Sequence, residues 1–448
     1  MKEAFLNRMK LLLQEEYEEY VKTLDMPMYR GVRVNTLKCA VEDFTKEFPH
    51  SLSVSPFCKE SFYISPQIAS LGNHPFHSCG LFYMQEPSAS SAVEILDVQE
   101  GEWVLDLCAA PGGKSTQIAA KLKHTGFLLS NEIDVGRASV LLSNMERLGV
   151  GENMITCAKP EELCKALQGH FDKVLVDAPC SGEGMFKKHD SAMEGWSEEH
   201  VNACRYRQLH ILESAYKALK QDGILVYSTC TYAVEENEQV VYEFLKTHPD
   251  MELVDSRASF GRGGFAYEDL PVSYVRRIFP MDRGEGHFIA KMRRISANEQ
   301  TKLVYEKEKK LPNCVISFFQ EQLSVLPMHW MMDEQRVYVR QAPFLRLKNI
   351  RILRQGIACG EVRGQRLEPH HHFYLSAFLR PYLKSTTELT KEEAILFYSG
   401  NVLPKEHRKG YTALTYHGYV LGLGKGDGVC IKNKLPKGLR CSVDGNLF

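Results

Sequence analysis

Between residues 81 and 294 short apolar runs alternate with stretches of helical periodicity, and that alternation admits few folds. Trp103 to Leu107 is followed by Thr116 to Leu122, Phe127 to Ser130 by Arg137 to Leu148, Lys173 to Asp177 by Val201 to Leu219, and Ile224 to Ser228 by Asn237 to Thr247. A repeat of this kind predicts a parallel sheet covered by helices on both faces. Two of the runs lead straight into a cysteine: Val174-Leu175-Val176-Asp177-Ala178-Pro179-Cys180 and Ile224-Leu225-Val226-Tyr227-Ser228-Thr229-Cys230. Each thiol is thereby delivered to the carboxyl end of a buried strand, where open parallel sheets gather ligands and reacting groups. If the two strands are neighbours, both thiols face one pocket.

The remaining chain divides around this unit. Residues 1–80 combine an amphipathic helix, with Phe5, Met9, Leu12, Leu13 and Tyr17 set among charges, with strand-like pieces such as Gly31-Val32-Arg33-Val34-Asn35. They end in a Gly-, His- and Pro-rich stretch from Gly72 to Gly80, so a small leading α+β domain is expected. Charge and turn density rise from Arg293 to Lys310, which marks a linker. Beyond it lies a middle segment with Arg336-Val337-Tyr338-Val339 and Ile350-Arg351-Ile352-Leu353. From Ile395 to Phe448 eight Lys or Arg stand against three Asp or Glu, with Lys432, Lys434, Lys437 and Arg440 in one short run. The expected domains are 1–80, 81–294, 295–374 and a basic tail, 375–448.

A chain of 448 residues that is 44% hydrophobic and 25% charged can bury several cores. Its net charge of -1 exerts no global pull on nucleic acid, so any such contact must come from local segregation of charge. Thirteen cysteines without a C-x-x-C pair or a secretory start predict reduced thiols and a cytoplasmic location. The adjacent His370, His371 and His372 lack the spacing of a helical metal pair, and no residue is assigned to a metal. No segment approaches the roughly 20 apolar residues of a membrane span. A monomer with no membrane partner is expected.

After the first apolar run comes Asp106-Leu107-Cys108-Ala109-Ala110-Pro111-Gly112-Gly113-Lys114-Ser115-Thr116, leading into a helix. Small residues let backbone approach a ligand, and a helix N-terminus favours negative charge. Gly113, Lys114 and Ser115 fit the second half of a phosphate-binding loop, but Cys108 stands where its first glycine belongs. The second run ends at Asn131-Glu132, near the offset at which doubly wound folds place an acid to hold a ribose. A ribose clamp favours an adenosine cofactor over a triphosphate.

The loop from Asp106 to Thr116, the segment Asp177-Ala178-Pro179-Cys180-Ser181-Gly182-Glu183-Gly184-Met185-Phe186 and the segment Ser228-Thr229-Cys230-Thr231-Tyr232 resemble, in order, three motifs of the Nol-Nop-Sun family of S-adenosylmethionine-dependent RNA cytosine-5 methyltransferases. Arg33-Val34-Asn35-Thr36, Tyr83-Met84-Gln85-Glu86 and Gly286-His287-Phe288-Ile289-Ala290 resemble further family elements. The extension ending in Ile431 to Arg440 is similar to the family branch that acts on bacterial small-subunit (16S) ribosomal RNA. The resemblance implies an α/β fold: a Rossmann-like S-adenosylmethionine-dependent methyltransferase sheet, a small N-terminal α+β domain, and a C-terminal PUA-like RNA-binding domain of α+β or β-barrel type. It also implies RNA, as ribosomal RNA or the small ribosomal subunit, as the partner.

Carbon 5 of cytosine is a poor nucleophile until a thiolate adds at carbon 6 and breaks the ring conjugation, which is covalent catalysis by cysteine. By the resemblance, Cys230 is the nucleophile, Cys180 assists elimination and release, and Asp177 contacts the cofactor or the cytosine edge. Cys108, Ala109, Ala110, Pro111, Gly112, Gly113 and Lys114 would wrap the cofactor, Glu132 would take its ribose hydroxyls, and Arg137 would lie close by. Relatives often carry an acid near the adenine where this chain has Lys159, which cannot accept a hydrogen bond. Lys187, Lys188 and His189 are candidates for the RNA backbone. Three rivals stay open at this point: a P-loop nucleotide hydrolase, a transfer RNA cytosine-5 methyltransferase, and a non-catalytic RNA-binding factor of ribosome assembly.

Overall fold

The computed structural model describes residues 2–68, 71–188 and 190–441. Its centre is a sheet whose strands we label β1 (Trp103–Asp106), β2 (Phe127–Asn131), β3 (Asn153–Thr156), β4 (Phe171–Asp177), β5 (Leu219–Thr229), β6 (Met251–Val254), β7 (His287–Arg294) and β8 (Ile352–Gln355). They lie in the order β6-β7-β5-β4-β1-β2-β3-β8, and a ninth strand, Arg276–Ile278, pairs antiparallel with β7 off this path. β1 to β5 run parallel, and β6, β7 and β8 are antiparallel to their neighbours. The chain order reverses between β1 and β4, so a crevice opens there at the carboxyl ends of the strands.

Both faces of this sheet are buried, which is why its strands read as unbroken apolar runs. Side chains nevertheless alternate. Leu105, Val174, Val176, Leu225 and Tyr227 enter one core with Leu163, Leu212, Val241 and Phe244 of the helices Pro160–Ala166, Glu198–Ala218 and Glu238–Thr247. Val104, Leu175 and Val226 enter the other, against Val93, Ile118, Leu141 and Met145 of Ser91–Leu96, Gly113–Leu122 and Val135–Arg147. The period of two is the pleat itself.

Three smaller sheets surround this body. An N-terminal antiparallel sheet is built of Ser53–Val54, Ser61–Ile64, Arg30–Val34 and Phe82–Met84. The middle segment forms His329–Asp333, Arg336–Arg340, Ile357–Arg363 and Arg366–Pro369, and the tail forms Thr386–Glu388, Gly410–Tyr416, Tyr419–Gly426 and Ile431–Asn433. The leading helix Glu3–Leu13 buries Phe5, Met9 and Leu13, a stripe at i, i+4 and i+8, against Phe186, Trp196, Tyr232 and Phe279. Among the described residues no helix is long and apolar enough to cross a membrane.

Two features depart from a reading by segments. The run Ile350 to Leu353, assigned above to the middle of the chain, overlaps β8, which pairs with β3 at the edge of the central sheet. The tail sheet shares one core with the N-terminal sheet: Val32, Phe44 and Phe82 meet Leu389, Phe397, Leu414 and Ile431. Neither contact leaves a local trace, because an edge strand and a shared apolar face look the same whatever they pack against.

One buried ion pair ties the third cysteine-bearing motif to the end of the sheet. Arg277 and Glu238 are 1% and 0% exposed and form a two-pronged pair, while Arg277 Nη1 donates to the Tyr232 carbonyl at 2.8 Å. Removing one member strands the other charge in the interior. Arg277→Ala is expected to cost about 3–5 kcal/mol, read as a lowered urea midpoint, and Glu238→Gln added to it should recover part of the loss. A midpoint unmoved by Arg277→Ala would refute the burial of this pair.

Candidate functional site

The first wall of the site grows from the end of β1. Asp106 is fully buried, its Oδ2 accepts from Ser115 Oγ at 2.6 Å, and its Oδ1 has no hydrogen-bond partner. Burial pushes its pKa up to about 7, against that hydrogen bond. The loop then turns at Gly112, where φ is +111° and a side chain would meet Leu141, and the helix Gly113–Leu122 starts. From the N-terminal sheet Arg33 reaches this helix start, donating to the Gly113 carbonyl at 2.6 Å and to Thr116 Oγ1 at 2.7 Å.

Lys114 and Asp177 face each other across the β1–β4 crevice, with Nζ 2.7 Å from Oδ2. Burial works against both charges. It raises the carboxyl and lowers the ammonium, but their mutual attraction, helped at Asp177 by Ser228 Oγ at 2.8 Å, leaves the net shift of Asp177 downward and of Lys114 upward. Both stay charged at neutral pH.

β4 and β5 are adjacent and in register at Asp177 and Ser228, so the segments that follow them leave the sheet side by side. Cys180 and Cys230 end with their Sγ atoms 3.3 Å apart. The contact with Cys230, reinforced by burial, holds the Cys180 thiol well above its ordinary pKa and therefore protonated. Cys108 is also driven up, by burial, and is inert as a nucleophile.

A cavity of about 800 Å³ joins these groups. Cys108, Ala109, Ala110, Pro111, Gly113, Lys114, Arg137, Asp177 and Cys230 line it, together with Asp106, Tyr29, Tyr83, Gln85, Glu86 and His287 from outside the sequence-derived set. Gly112, Glu132 and Cys180 are not on its wall. Glu132 lies behind it: Oε1 accepts from the Asp134 N–H at 3.1 Å, Oε2 is a buried acceptor without a hydrogen bond, and Arg137 Nη2 stands 3.5 Å away. Arg137 also donates to the Ala110 carbonyl at 3.0 Å. Lys159 is exposed and outside the cavity wall. Lys187 is 3.3 Å from Glu285, Lys188 is exposed on the cavity rim, and His189 lies outside the described residues.

The donor set separates the two cofactor readings. Lys114, which a phosphate loop needs for its ligand, is engaged by Asp177, and the buried Asp106 Oδ1 on the wall is an acceptor without a hydrogen bond. Such a wall suits a ligand offering ammonium and hydroxyl donors, as the amino acid and ribose parts of S-adenosylmethionine do, and repels a triphosphate.

Sequence reasoning missed the groups that hold the two thiols. Glu236, from the segment after Cys230, accepts from the Ser181 N–H at 2.9 Å, the Ser181 hydroxyl, and Gln208 Nε2 at 2.8 Å. Glu183, from the segment after Cys180, accepts from Trp196 Nε1 at 2.9 Å and from Thr231 Oγ1 and the Tyr232 N–H at 3.0 Å each. The two cysteine segments thus exchange buried carboxylates. On the opposite wall His287 Nδ1 meets Ser88 Oγ at 2.9 Å, and Ser88 Oγ donates to Glu86 Oε2. Burial and the nearby Lys114 charge push the His287 pKa down to about 3, so its ring is neutral. Acids in a loop read as solvated surface, and only the short spacing from each cysteine to its glutamate offered a signal.

The comparisons with known proteins agree with this architecture. Residues 93–293 match the family described as 16S rRNA methyltransferase RsmB/F, residues 1–87 the N-terminal domain of 16S rRNA methyltransferase RsmF, and residues 384–441 the methyltransferase RsmF PUA domain. The ribosomal RNA small subunit methyltransferase F of Vibrio vulnificus is 33% identical over 469 residues, covering 100% of this chain and 98% of its own length. That of Klebsiella pneumoniae is 32% identical over 471 residues, covering 100% and 97%. Among solved structures, a methyltransferase homologue from Pyrococcus horikoshii is 30% identical, covers 66% of this chain and 95% of its own, and superposes with a TM-score of 0.58. The chain belongs to the RsmF family of 16S rRNA methyltransferases.

Proposed function

We propose that this enzyme methylates carbon 5 of cytidine in small-subunit (16S) ribosomal RNA, with S-adenosylmethionine as donor, Cys230 as nucleophile and Cys180 as the group that assists release. The observation that carries the reading is the 3.3 Å approach of the two thiols at the ends of adjacent parallel strands, beside a cavity that also reaches Asp106 and Lys114. A single pyrimidine ring entering that cavity can meet Cys230 and Asp177 together.

When bound, S-adenosylmethionine supplies an electrophilic methyl group; the chain does the rest. Asp106 and the 108–114 loop would hold the donor, with Glu132 behind them. The target base is unstacked and turned into the cavity. Cys230 Sγ adds to carbon 6, forming a carbon–sulfur bond and making carbon 5 electron-rich enough to take the methyl. Cys180, protonated and in contact with Cys230 Sγ, stabilises the thiolate before attack and as it leaves. The carbon 5 proton then passes to solvent water as the carbon 6–sulfur bond breaks, which returns Cys230 as a thiolate and restores the aromatic ring. Asp177 stays ionised beside Lys114 and offers an acceptor to the exocyclic amine of cytosine.

The tail supplies affinity. Lys434, Lys437 and Arg440 are exposed and have no carboxylate partner among the described residues, whereas Lys432 is paired with Asp427 at 3.3 Å. Deleting the tail is a poor test, because it would uncover the core shared with the N-terminal sheet.

Cys230→Ala should lower transfer of labelled methyl groups into 16S ribosomal RNA by at least about a thousandfold; full activity in this variant would reject the nucleophile assignment. In Cys180→Ala a protein–RNA adduct that survives denaturing electrophoresis should build up, and a gel without a slow-migrating species would reject the release role. Changing Lys434, Lys437 and Arg440 to Gln should weaken RNA binding and flatten its salt dependence by about 0.7 in log–log slope per lost phosphate contact. Affinity for S-adenosylmethionine, read by calorimetry, should stay as it was.

A further inference from the structure

A second hollow, of about 330 Å³, opens beside the reaction cavity and shares Met28, Tyr29, Arg30 and Ile64 with its wall. Its sides come from four distant parts of the chain: residues 23–30, the N-terminal sheet and the turn after it at Ser53, Tyr63, Ile64 and Pro66, Lys187 from the segment after Cys180, which is paired with Glu285, and Pro280 and Arg283 from the turn before β7. Whatever threads out of the cavity on this side must cross it.

The chemistry of this hollow is opposite to that of the cofactor wall. Arg283 is exposed and has no carboxylate partner among the described residues; its guanidinium lies 4.8 Å from the centroid of the Tyr63 ring, whose hydroxyl donates to the Arg283 carbonyl at 2.7 Å. The residue sits at φ +67°, in the left-handed region that a non-glycine residue seldom adopts. Its turn is held there by Asp282, which accepts from the Phe279 N–H at 2.9 Å and pairs with Arg262 at 2.6 Å. Arg30 donates to neutral carbonyls, those of Pro66 at 2.9 Å and Ile68 at 2.7 Å. Two cations with no carboxylate partner among the described residues therefore border the hollow. Between them lie apolar side chains, Met26 at 56% exposure, Pro27 and Met28.

We propose that this hollow is the binding subsite for the nucleotide next to the target cytidine in a single-stranded RNA. The inference rests on the reading of the main cavity as an RNA methylation site. A base turned into that cavity leaves its neighbour unstacked at the mouth, and an unstacked nucleotide needs a cation for its phosphate and an apolar surface for its base. Arg283 and Arg30 supply the first, and Met26, Pro27 and Met28 the second. The subsite makes the enzyme bind its substrate as a strand rather than as an isolated base.

The test uses the full-length protein, a 16S ribosomal RNA transcript and labelled S-adenosylmethionine. Arg283→Gln should raise KM for the RNA about tenfold, leave kcat within about twofold, and reduce the log–log salt slope of RNA binding by about 0.7, the value for one single-strand phosphate. Met26→Asp, which sets a like charge against the phosphate, should raise KM similarly, while the affinity of both variants for S-adenosylmethionine matches that of the parent. Unchanged KM and salt slope in both variants would overturn the subsite. If the parent protein transfers no methyl group to the transcript, the functional reading fails by itself, and filter binding of the same RNA to the same variants still decides on the hollow.

Discussion

Two buried carboxylates crossing in opposite directions fix the chemistry of this protein. Glu236 leaves the Cys230 segment to hold Ser181, and Glu183 leaves the Cys180 segment to hold Thr231 and Tyr232. A buried carboxylate without partners is so costly that it either neutralises or is never buried. Each of these accepts three hydrogen bonds, so each constrains the opposite segment at several points. Burial still pushes Glu236 up to about 7. The cost is borne where the separation of two sulfur atoms has to be held within a few tenths of an ångström.

Electrostatics divide the cavity into regions with different tasks. On the side of β1 the wall offers an acceptor without a hydrogen bond, Asp106 Oδ1, and behind it Glu132 Oε2 is paired, among the described residues, only with Arg137 at 3.5 Å. Between β1 and β4 the Lys114–Asp177 pair keeps two opposite charges ionised in a buried place. On the side of the N-terminal sheet the bordering cations Arg30 and Arg283 have no carboxylate partner among the described residues. A donor-bearing cofactor and a polyanion can thus enter one continuous space without competing for it, because each is repelled from the surface that suits the other.

The outer sheets act on the site mainly by position. The leading helix packs against Phe186, Trp196, Tyr232 and Phe279, residues that flank both cysteine segments, and Arg33 spans from the N-terminal sheet to the helix that follows the Asp106–Gly112 loop. That same N-terminal sheet shares its core with the tail. The basic surface of the tail is therefore coupled mechanically to the reaction cavity through one set of apolar contacts between the two ends of the chain.

The sequence by itself determined the central sheet, the ligand loop and the arrival of two thiols at strand ends, because each rests on local rules: the alternation of apolar runs with helical periods, the glycines of one turn, and the position of a cysteine after a buried strand. It singled out Lys114, Asp177, Cys180 and Cys230, and the α/β class it implied is the one that the RsmF relatives share. Only the tertiary structure decided that Ile352–Gln355 joins the central sheet, that the tail packs on the N-terminal sheet, and that Glu183, Glu236, His287 and Arg283 gather at the site. Hydrogen bonds between loops and contacts across a shared core depend on which distant segments the fold brings together, and no periodicity in a single chain records that partnership.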